Sequence, residues 1–457
     1  MKPDWTFPHA FRLQPSDLVA FVGGGGKTSL MFALAQAWRG RVVTTTTTRI
    51  FATQMRHAPI VLSISPEETT DAQFVFFQAE LVSALDRFGH CLVVGPVSGD
   101  KAIGVSPALP ARFLTDGCAD LVLVEADGSR MRPVKAPAVH EPVVPPEATL
   151  VVPVVGIDAL NGRIADVAHR PEILCKILGK EWSPGARLTP SEIGCLLTHP
   201  QGGLKGVPEL ARVIPFINKV ETAEQRRWAR MIARDCLQSE RIEQVVIGAA
   251  QSKRPIWEVQ RRVTAVILAA GQAKRMGQTK QLLPWGQTTV LGQTIRQVKA
   301  SEVHDWLVVA GHEAAAVAEV VTAEGGYVVY NPAYAEGEMV SSLKTAVRQL
   351  SPLVSAVLVV LGDQPMIAPE TINQLLTAYW EGAGELIAPV YQGRRGNPVL
   401  IGRPYFEALL NLPPGEQPRA LLQRYAAELY LVETTDEAIL WDLDTMADYQ
   451  RWQPDSE

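Results

Sequence analysis

Long apolar runs are what this 457-residue sequence most plainly lacks. None approaches the roughly 20 residues that span a bilayer, so no membrane partner is expected. Cysteine is scarce as well. Cys91, Cys118, Cys175, Cys195 and Cys236 form no CxxC pair and all lie ahead of residue 237. That excludes a disulfide framework and points to a reducing, cytoplasmic setting. Positive charge is not in surplus: Lys and Arg number 43 against 48 Asp and Glu, which argues against nucleic acid as a partner. The opening MKPDWTFPHAF has no charged start followed by an apolar core, so no secretory signal is expected. What remains is 47% hydrophobic and 20% charged, an ordinary globular balance. The length exceeds one ordinary core and suits two domains.

Short apolar runs alternate with helical patterns along the first half. LVAFV (18–22), RVVTTTT, CLVVG, DLVLVEADG, TLVVPVVG, VIPFIN and QVVIGAA read as buried strands, and SLMFALAQAW (29–38) as an amphipathic helix. This is the rhythm of a parallel sheet covered by helices. QSKRPIWEVQRR (251–262) is polar and charged and reads as a linker, giving domains 1–255 and 256–457. After it VTAVILAA, DWLVVAG, GYVVY, SAVLVVLGD and ELIAPV repeat the rhythm. The expected fold class is α/β with two domains: an N-terminal P-loop-type parallel sheet and a C-terminal Rossmann-like sheet.

The second half carries the sharper motifs. VILAAGQAKRMGQTK ends a strand on small residues. Ligands of open α/β sheets bind beyond the carboxyl ends of strands. There Leu268, Ala269, Ala270, Gly271 and Gly277 let a nucleotide lie against the backbone, and Arg275 and Lys280 bring positive charge to a triphosphate. Asp363, in LGDQP, follows a strand and suits Mg²⁺. RRGNP adds Asn397, and WDLDTMADY adds Asp442 and Asp444. In GEMVSSLKTAV, Ser341 and Ser342 at a helix start could receive an acceptor phosphate. Simple capping by Ser341 is the plainer alternative.

In this order LAAGQAKRMGQTK, LGDQP, RRGNP and WDLDTMADY resemble the MobA/MocA nucleotidyltransferases from Thr264 to Trp452. The resemblance implies a bound nucleoside triphosphate, Mg²⁺, and attack by the terminal phosphate of molybdopterin on the nucleotide α-phosphate. Lys280 matches the lysine at the α-phosphate, Arg275 the arginine on the triphosphate, and Asp363 a metal carboxylate. Asp444 matches the second metal ligand, with Asp442 close behind. Ala-Ala-Gly at 269–271 is similar to the cytidylyl branch, which favours CTP. Ala273 stands where the family usually has serine, which removes one hydroxyl donor worth about 1 kcal/mol.

VGGGGKTSL (22–30) fails the full Walker A spacing, because Phe21 stands where the first glycine belongs. The shorter G-x-x-G-K-T matches Gly23, Gly26, Lys27 and Thr28, and Mur-type ligases use a loop of that length. Backbone amides of Gly23, Gly24, Gly25 and Gly26 would cradle phosphates, Lys27 would reach the outer ones, and Thr28 or Ser29 the Mg²⁺. Glu125 and Asp127 follow a strand as candidate metal carboxylates. FINKVE offers Asn218 and Lys219 as base readers, with Glu221 where GTPases carry Asp, so ATP and GTP both stay open. GGGGKTS, TTTTTR, VEADGSR, KAPAVHEP, AHRPE and FINK resemble the YqeC family over residues 10–250. That likeness implies a part in maturing selenium-dependent molybdenum hydroxylases, with such a hydroxylase as partner. His140 and His169 are expected to play ordinary structural roles.

The expected activity is CMP transfer from CTP to the molybdenum cofactor, with an N-terminal NTPase serving the same maturation. A nucleotide-switched chaperone, and nucleotidyl transfer to another phosphorylated acceptor, are the alternatives.

Overall fold

Every residue from Leu18 to Val22 is apolar, so a strand there must be covered on both faces. The computed structural model, which describes residues 5–65, 71–271, 279–335, 339–413 and 415–454, shows how. Strand β1 (Asp17–Gly23) sends Val19 and Phe21 into one core, with Leu30, Met31 and Leu34 of helix α1 (Lys27–Ala37). Leu18, Ala20 and Val22 enter the opposite core with Leu81 and Leu85 of α2 (Asp71–Phe88). The other strands along the main path of this sheet are β2 (Val42–Thr46), β3 (Val61–Ser63), β4 (His90–Val94), β5 (Leu121–Glu125), β6 (Leu150–Gly156), β7 (Phe216–Asn218), β8 (Gln244–Gly248) and β9 (Ile256–Arg261). They lie in the order β9-β8-β7-β6-β1-β5-β2-β4-β3, with every pair from β8 to β3 parallel. Parallel pairing brings Gly23, Thr46, Glu125, Gly156 and Asn218 to one edge of the sheet.

The chain divides into two compact units between Gln260 and Arg261. The linker expected at 251–262 is instead largely strand β9, and the division falls a few residues later than 255/256. Its charges are held rather than solvated. Glu258 is fully buried, and Arg230 of α3 (Ala223–Cys236) donates to it from Nε at 2.9 Å and Nη2 at 2.8 Å. A paired charge can sit in a strand that composition alone would give to a loop.

The C-terminal unit is built on β10 (Val263–Ala269), flanked in parallel by β11 (Asp305–Ala310) and β13 (Ala356–Leu361). β12 (Val328–Tyr330) extends the parallel side. Beyond β13 the sheet turns mixed: β15 (Val399–Gly402) is antiparallel to both β13 and β14 (Leu386–Tyr391), and β16 (Leu429–Glu433) pairs with β14 in parallel. The alternation predicts β10 to β14; β15 and β16 are not among the runs it singles out. Apolar cores cover both faces, one through α4 (Val290–Ala300) and α6 (Pro369–Trp380), the other through α5 (Met339–Gln349). Among the described residues no helix is long and apolar enough to cross a membrane.

Candidate active site

β10 and β13 end side by side, with Leu268 opposite Leu361. At the end of β10 Ala269 and Ala270 are buried, and among the described residues none comes near the place a β-carbon on Gly271 would take. Gly362 N–H donates to Leu268 O at 3.0 Å, which holds the turn carrying Asp363 against the end of β10. Lys280 starts a single 3-10 turn, and its ammonium is ion-paired with Asp363 and, at 3.1 Å, with Asp444. Burial alone would lower the Lys280 pKa, but Asp363 and then Asp444 outweigh it and raise it. Asp442 stands beside this pair and accepts from Gln364 Nε2 at 2.8 Å. Its own burial, then the neighbouring charges of Asp363 and Asp444, push its pKa up to about 6. The structure thus gathers Lys280, Asp363, Asp442 and Asp444, which the sequence separates by more than 160 positions. Arg275, Gly277 and the atypical Ala273 lie outside the described residues.

Ser341 and Ser342 fall inside the first turn of α5, two and three residues after Met339, so Ser341 is not its cap. Asn331, at the end of β12 and almost wholly buried, donates from Nδ2 to Ser341 Oγ at 2.8 Å and to Ser342 Oγ at 3.0 Å. The sequence reading missed Asn331; its signal was an Asn-Pro pair closing an apolar strand. Asn397 lines a cleft of about 220 Å³ together with Leu361, Arg395, Arg419 and Met339, the first residue of α5.

In the N-terminal unit the glycine loop joins β1 to α1 as expected. Gly25 has φ +78°, and a β-carbon there would lie 2.1 Å from Gly156 N; Gly26 has φ +112°. Only glycine suits either position. Some loop amides are already engaged: Gly24 N–H bonds Val154 O and Gly25 N–H bonds Arg132 O. Gly23 N–H donates to Asp127 Oδ2 at 3.1 Å. The Lys27 ammonium bonds Gly23 O at 2.6 Å and lies 3.2 Å from Asp127 Oδ1 and 3.8 Å from Glu125. Thr28 Oγ1 donates to Glu125 Oε2 at 2.7 Å. Burial raises the Glu125 pKa, against the pull of Lys27 and Thr28. Ser29, one position on in α1, is partly buried.

Asn218 and Lys219 do something other than face a base. Asn218 Nδ2 donates to Gly25 O at 2.8 Å and its Oδ1 accepts from Ala250 N–H at 2.9 Å, so Asn218 clamps the glycine loop. Lys219 pairs with Asp158 at 2.7 Å on the surface. Reading the motifs one at a time overlooked Lys135, Glu141 and Arg170. The Lys135 side chain is fully buried and pairs with Asp127 at 2.9 Å and Glu141 at 2.8 Å; Arg170 pairs with Glu141 at 2.5 Å. Burial would raise the Glu141 pKa, but Arg170 and Lys135 bring it down to about 2. KAPAVHEP and AHRPE carried these charges in plain view. His169 is partly buried beside them, and burial followed by Arg170 and Lys135 lowers it to about 4; His140 is exposed. Among the described residues no three His, Cys, Asp or Glu side chains gather as a metal cage.

The comparisons with known proteins divide the chain in the same way. The model of the YqeC protein family matches residues 19–172, and that of the MobA-like NTP transferase domain matches residues 265–429. The YqeC protein of Escherichia coli (strain K12) is 35% identical over 212 residues, covering 45% of this chain and 77% of that protein. The molybdenum cofactor cytidylyltransferase of the same organism is 27% identical over 190 residues, covering 41% of this chain and 93% of that protein. The nicotine blue oxidoreductase of Paenarthrobacter nicotinovorans is 27% identical over 198 residues, covering 41% and 95%. The C-terminal unit is a MobA-like nucleotidyltransferase. The chain belongs to the YqeC family, with that transferase fused behind its YqeC part.

Proposed function

We propose that the C-terminal unit transfers CMP from CTP to the terminal phosphate of molybdopterin in the molybdenum cofactor. The observation that carries this reading is Lys280 held between Asp363 and Asp444 beyond the ends of β10 and β13. A cation placed there meets the charge that grows on an α-phosphate under attack. An acceptor phosphate oxygen bonds to the α-phosphorus, the bond to the β-phosphate oxygen breaks, and pyrophosphate leaves. The attacking phosphate is already ionised, so no general base is required. The likeness of Ala-Ala-Gly at 269–271 to the cytidylyl branch supports cytosine as the base. Ser341, Ser342 and Asn397 are assigned to the acceptor, the serines oriented by Asn331.

Mg²⁺ fits the donor set. Asp363 and Asp444 already share one cation, the Lys280 ammonium, and their hard oxygens suit an ion that takes its other ligands from phosphate and water. Bound there, Mg²⁺ would withdraw charge from the phosphates. Pyrophosphate release by the full-length protein with the molybdenum cofactor and CTP, GTP or ATP tests the assignment. Release with CTP alone supports it. Release with GTP overturns the base choice, and none with any nucleotide removes the reaction. The oxidoreductase relative makes the acceptor a necessary variable in that assay.

For the N-terminal unit we propose a P-loop-type nucleoside triphosphate site at Gly23–Gly26, with Lys27 on the outer phosphates. Thr28 and Glu125, joined by one hydrogen bond, would hold Mg²⁺. Asp127, given to two lysines, acts as their counter-charge. Asn218 and Lys219 are engaged elsewhere, so ATP and GTP are expected to bind alike. We place this site in the maturation of selenium-dependent molybdenum hydroxylases, with such a hydroxylase as partner. Loss of nucleotide binding by Lys27→Ala, scored in a Lys280→Ala chain, tests the site.

A further inference from the structure

One carboxylate in the N-terminal unit collects an unusual set of donors. Asp127 receives the Lys27 ammonium at 3.2 Å on Oδ1, and the Lys135 ammonium at 2.9 Å and the Gly23 N–H at 3.1 Å on Oδ2. The two lysine side chains are 2% and 0% exposed. Two ammoniums and a glycine-loop amide around one oxyanion are what a phosphate group asks of its site. The amide matters here: a plain buried ion pair has no need of the first N–H of the glycine loop. Lys135 also has a second anchor. It pairs with Glu141 and donates to Gly128 O at 2.8 Å, and Glu141 is held by Arg170. If Asp127 is drawn off, Lys135 stays neutralised and in place. Such a charge survives exchange of one partner at far lower cost than loss of all partners.

We propose that Lys135 is a second phosphate-binding cation beside Lys27, and that a phosphate competes with the Asp127 carboxylate for Lys27, Lys135 and the Gly23 amide. The ligand class is a polyphosphate, as in a nucleoside triphosphate. This rests on the phosphate-site reading of the glycine loop. The site therefore has an internal competitor of fixed charge. Removing the competitor's charge should tighten anion binding, and removing Lys135 should loosen it.

The test is calorimetric titration of inorganic tripolyphosphate into the full-length Lys280→Ala protein without divalent ions. Four further variants are compared in that background: Lys27→Ala, Lys135→Met, Lys135→Arg and Asp127→Asn. Lys135→Met is expected to weaken binding tenfold or more, comparable to Lys27→Ala. Lys135→Arg should restore it to within about threefold. Asp127→Asn should tighten it severalfold. A purely structural Lys135 would leave affinity unchanged in folded Lys135→Met protein, and that result overturns the proposal. So does weaker binding by Asp127→Asn. If Lys135→Met does not fold, Asp127→Asn decides alone. If Lys27→Ala binds as the parent does, the phosphate-site reading itself fails, a result separate from failure at Lys135.

Discussion

Removing the Lys280 charge tests whether that lysine serves catalysis or merely balances charge. The Lys280 and Asp363 side chains are 16% and 12% exposed, so their ion pair is largely withdrawn from water, whereas Asp444 is 54% exposed and adds little. Breaking a buried pair by removing one partner costs about 3–5 kcal/mol when burial is complete. The residual exposure brings the expected loss for Lys280→Met to about 2–3 kcal/mol. Asp363→Asn should lose a similar amount. The double variant leaves no uncompensated charge between them and should recover most of the stability. Activity should not follow. A cation aimed at charge developing in the transition state is worth roughly 10²–10³ in rate. Lys280→Met should therefore slow pyrophosphate release by that factor at saturating CTP, and the double variant should be no faster. Urea unfolding of the C-terminal unit and single-turnover pyrophosphate release supply the two readouts. If folded Lys280→Met protein releases pyrophosphate at the unsubstituted rate, Lys280 is only a structural counter-ion.

Three further outcomes follow from the geometry. Ala269→Gly with Ala270→Gly is expected to relax the preference for CTP over GTP, read as the ratio of kcat/KM values; an unchanged ratio removes these residues from base selection. Asn331→Ala should raise KM for the phosphorylated acceptor severalfold with little change in KM for CTP, because Ser341 and Ser342 lose the amide that orients them. Equal changes in both would make Asn331 a general support. His90 is buried against Thr44 Oγ1, and burial lowers its pKa to about 4. Unfolding restores a value near 6.5, so between those values the unfolded chain binds the proton and the folded one does not. The N-terminal unit should lose about 2 kcal/mol between pH 7 and pH 5 from this group, fully retained above pH 6.5 and lost on acidification. His90→Gln should lack that part of the loss, and equal acid sensitivity in both proteins would contradict it.

The strands were legible because burial on both faces of a parallel sheet demands unbroken apolar runs, and LVAFV, DLVLVE and VTAVILA supply them. β9 was not, because Glu258 and Arg261 look solvated until their partners appear. Arg230 stands 28 residues before Glu258, and Glu385, which pairs with Arg261 at 2.7 Å, stands 124 residues beyond it. The same limit governs the sites. Gly23–Lys27 and Leu268–Lys280 are contiguous and announce themselves. Lys135, Glu141 and Arg170 belong to a network whose members lie in different loops, each an ordinary charge alone. Asn331 and Asn218 are buried amides that spend their hydrogen bonds on neighbouring backbone or hydroxyls. The motif around Asn218 marks the residue but not its clamping role, and the Asn-Pro pair at Asn331 is shared with ordinary turns.

The two units hold their cations in the same way. Lys280 rests between Asp363 and Asp444, and Lys27 with Lys135 rests against Asp127 and Glu125. A lysine beyond a parallel strand end must be neutralised if it is to be buried there, and nearby carboxylates supply the charge. The consequence is an ordering of charges. A phosphate that engages the lysine releases the carboxylate, and a released carboxylate facing a phosphate is where a divalent cation gains most. On the proposed readings, binding of triphosphate and of Mg²⁺ should be mutually reinforcing at each site, each ion removing the repulsion the other would meet. The N-terminal site differs in one respect. The metal pair there, Thr28 and Glu125, is not the carboxylate that phosphate displaces, which is Asp127, held by two lysines. Triphosphate affinity there should depend less on Mg²⁺ than at the C-terminal site, where Asp363 is freed by the movement of Lys280 alone. Titrating triphosphate with and without Mg²⁺ into the Lys27→Ala and Lys280→Ala proteins separates the two sites. A larger Mg²⁺ dependence at the N-terminal site would refute the ordering.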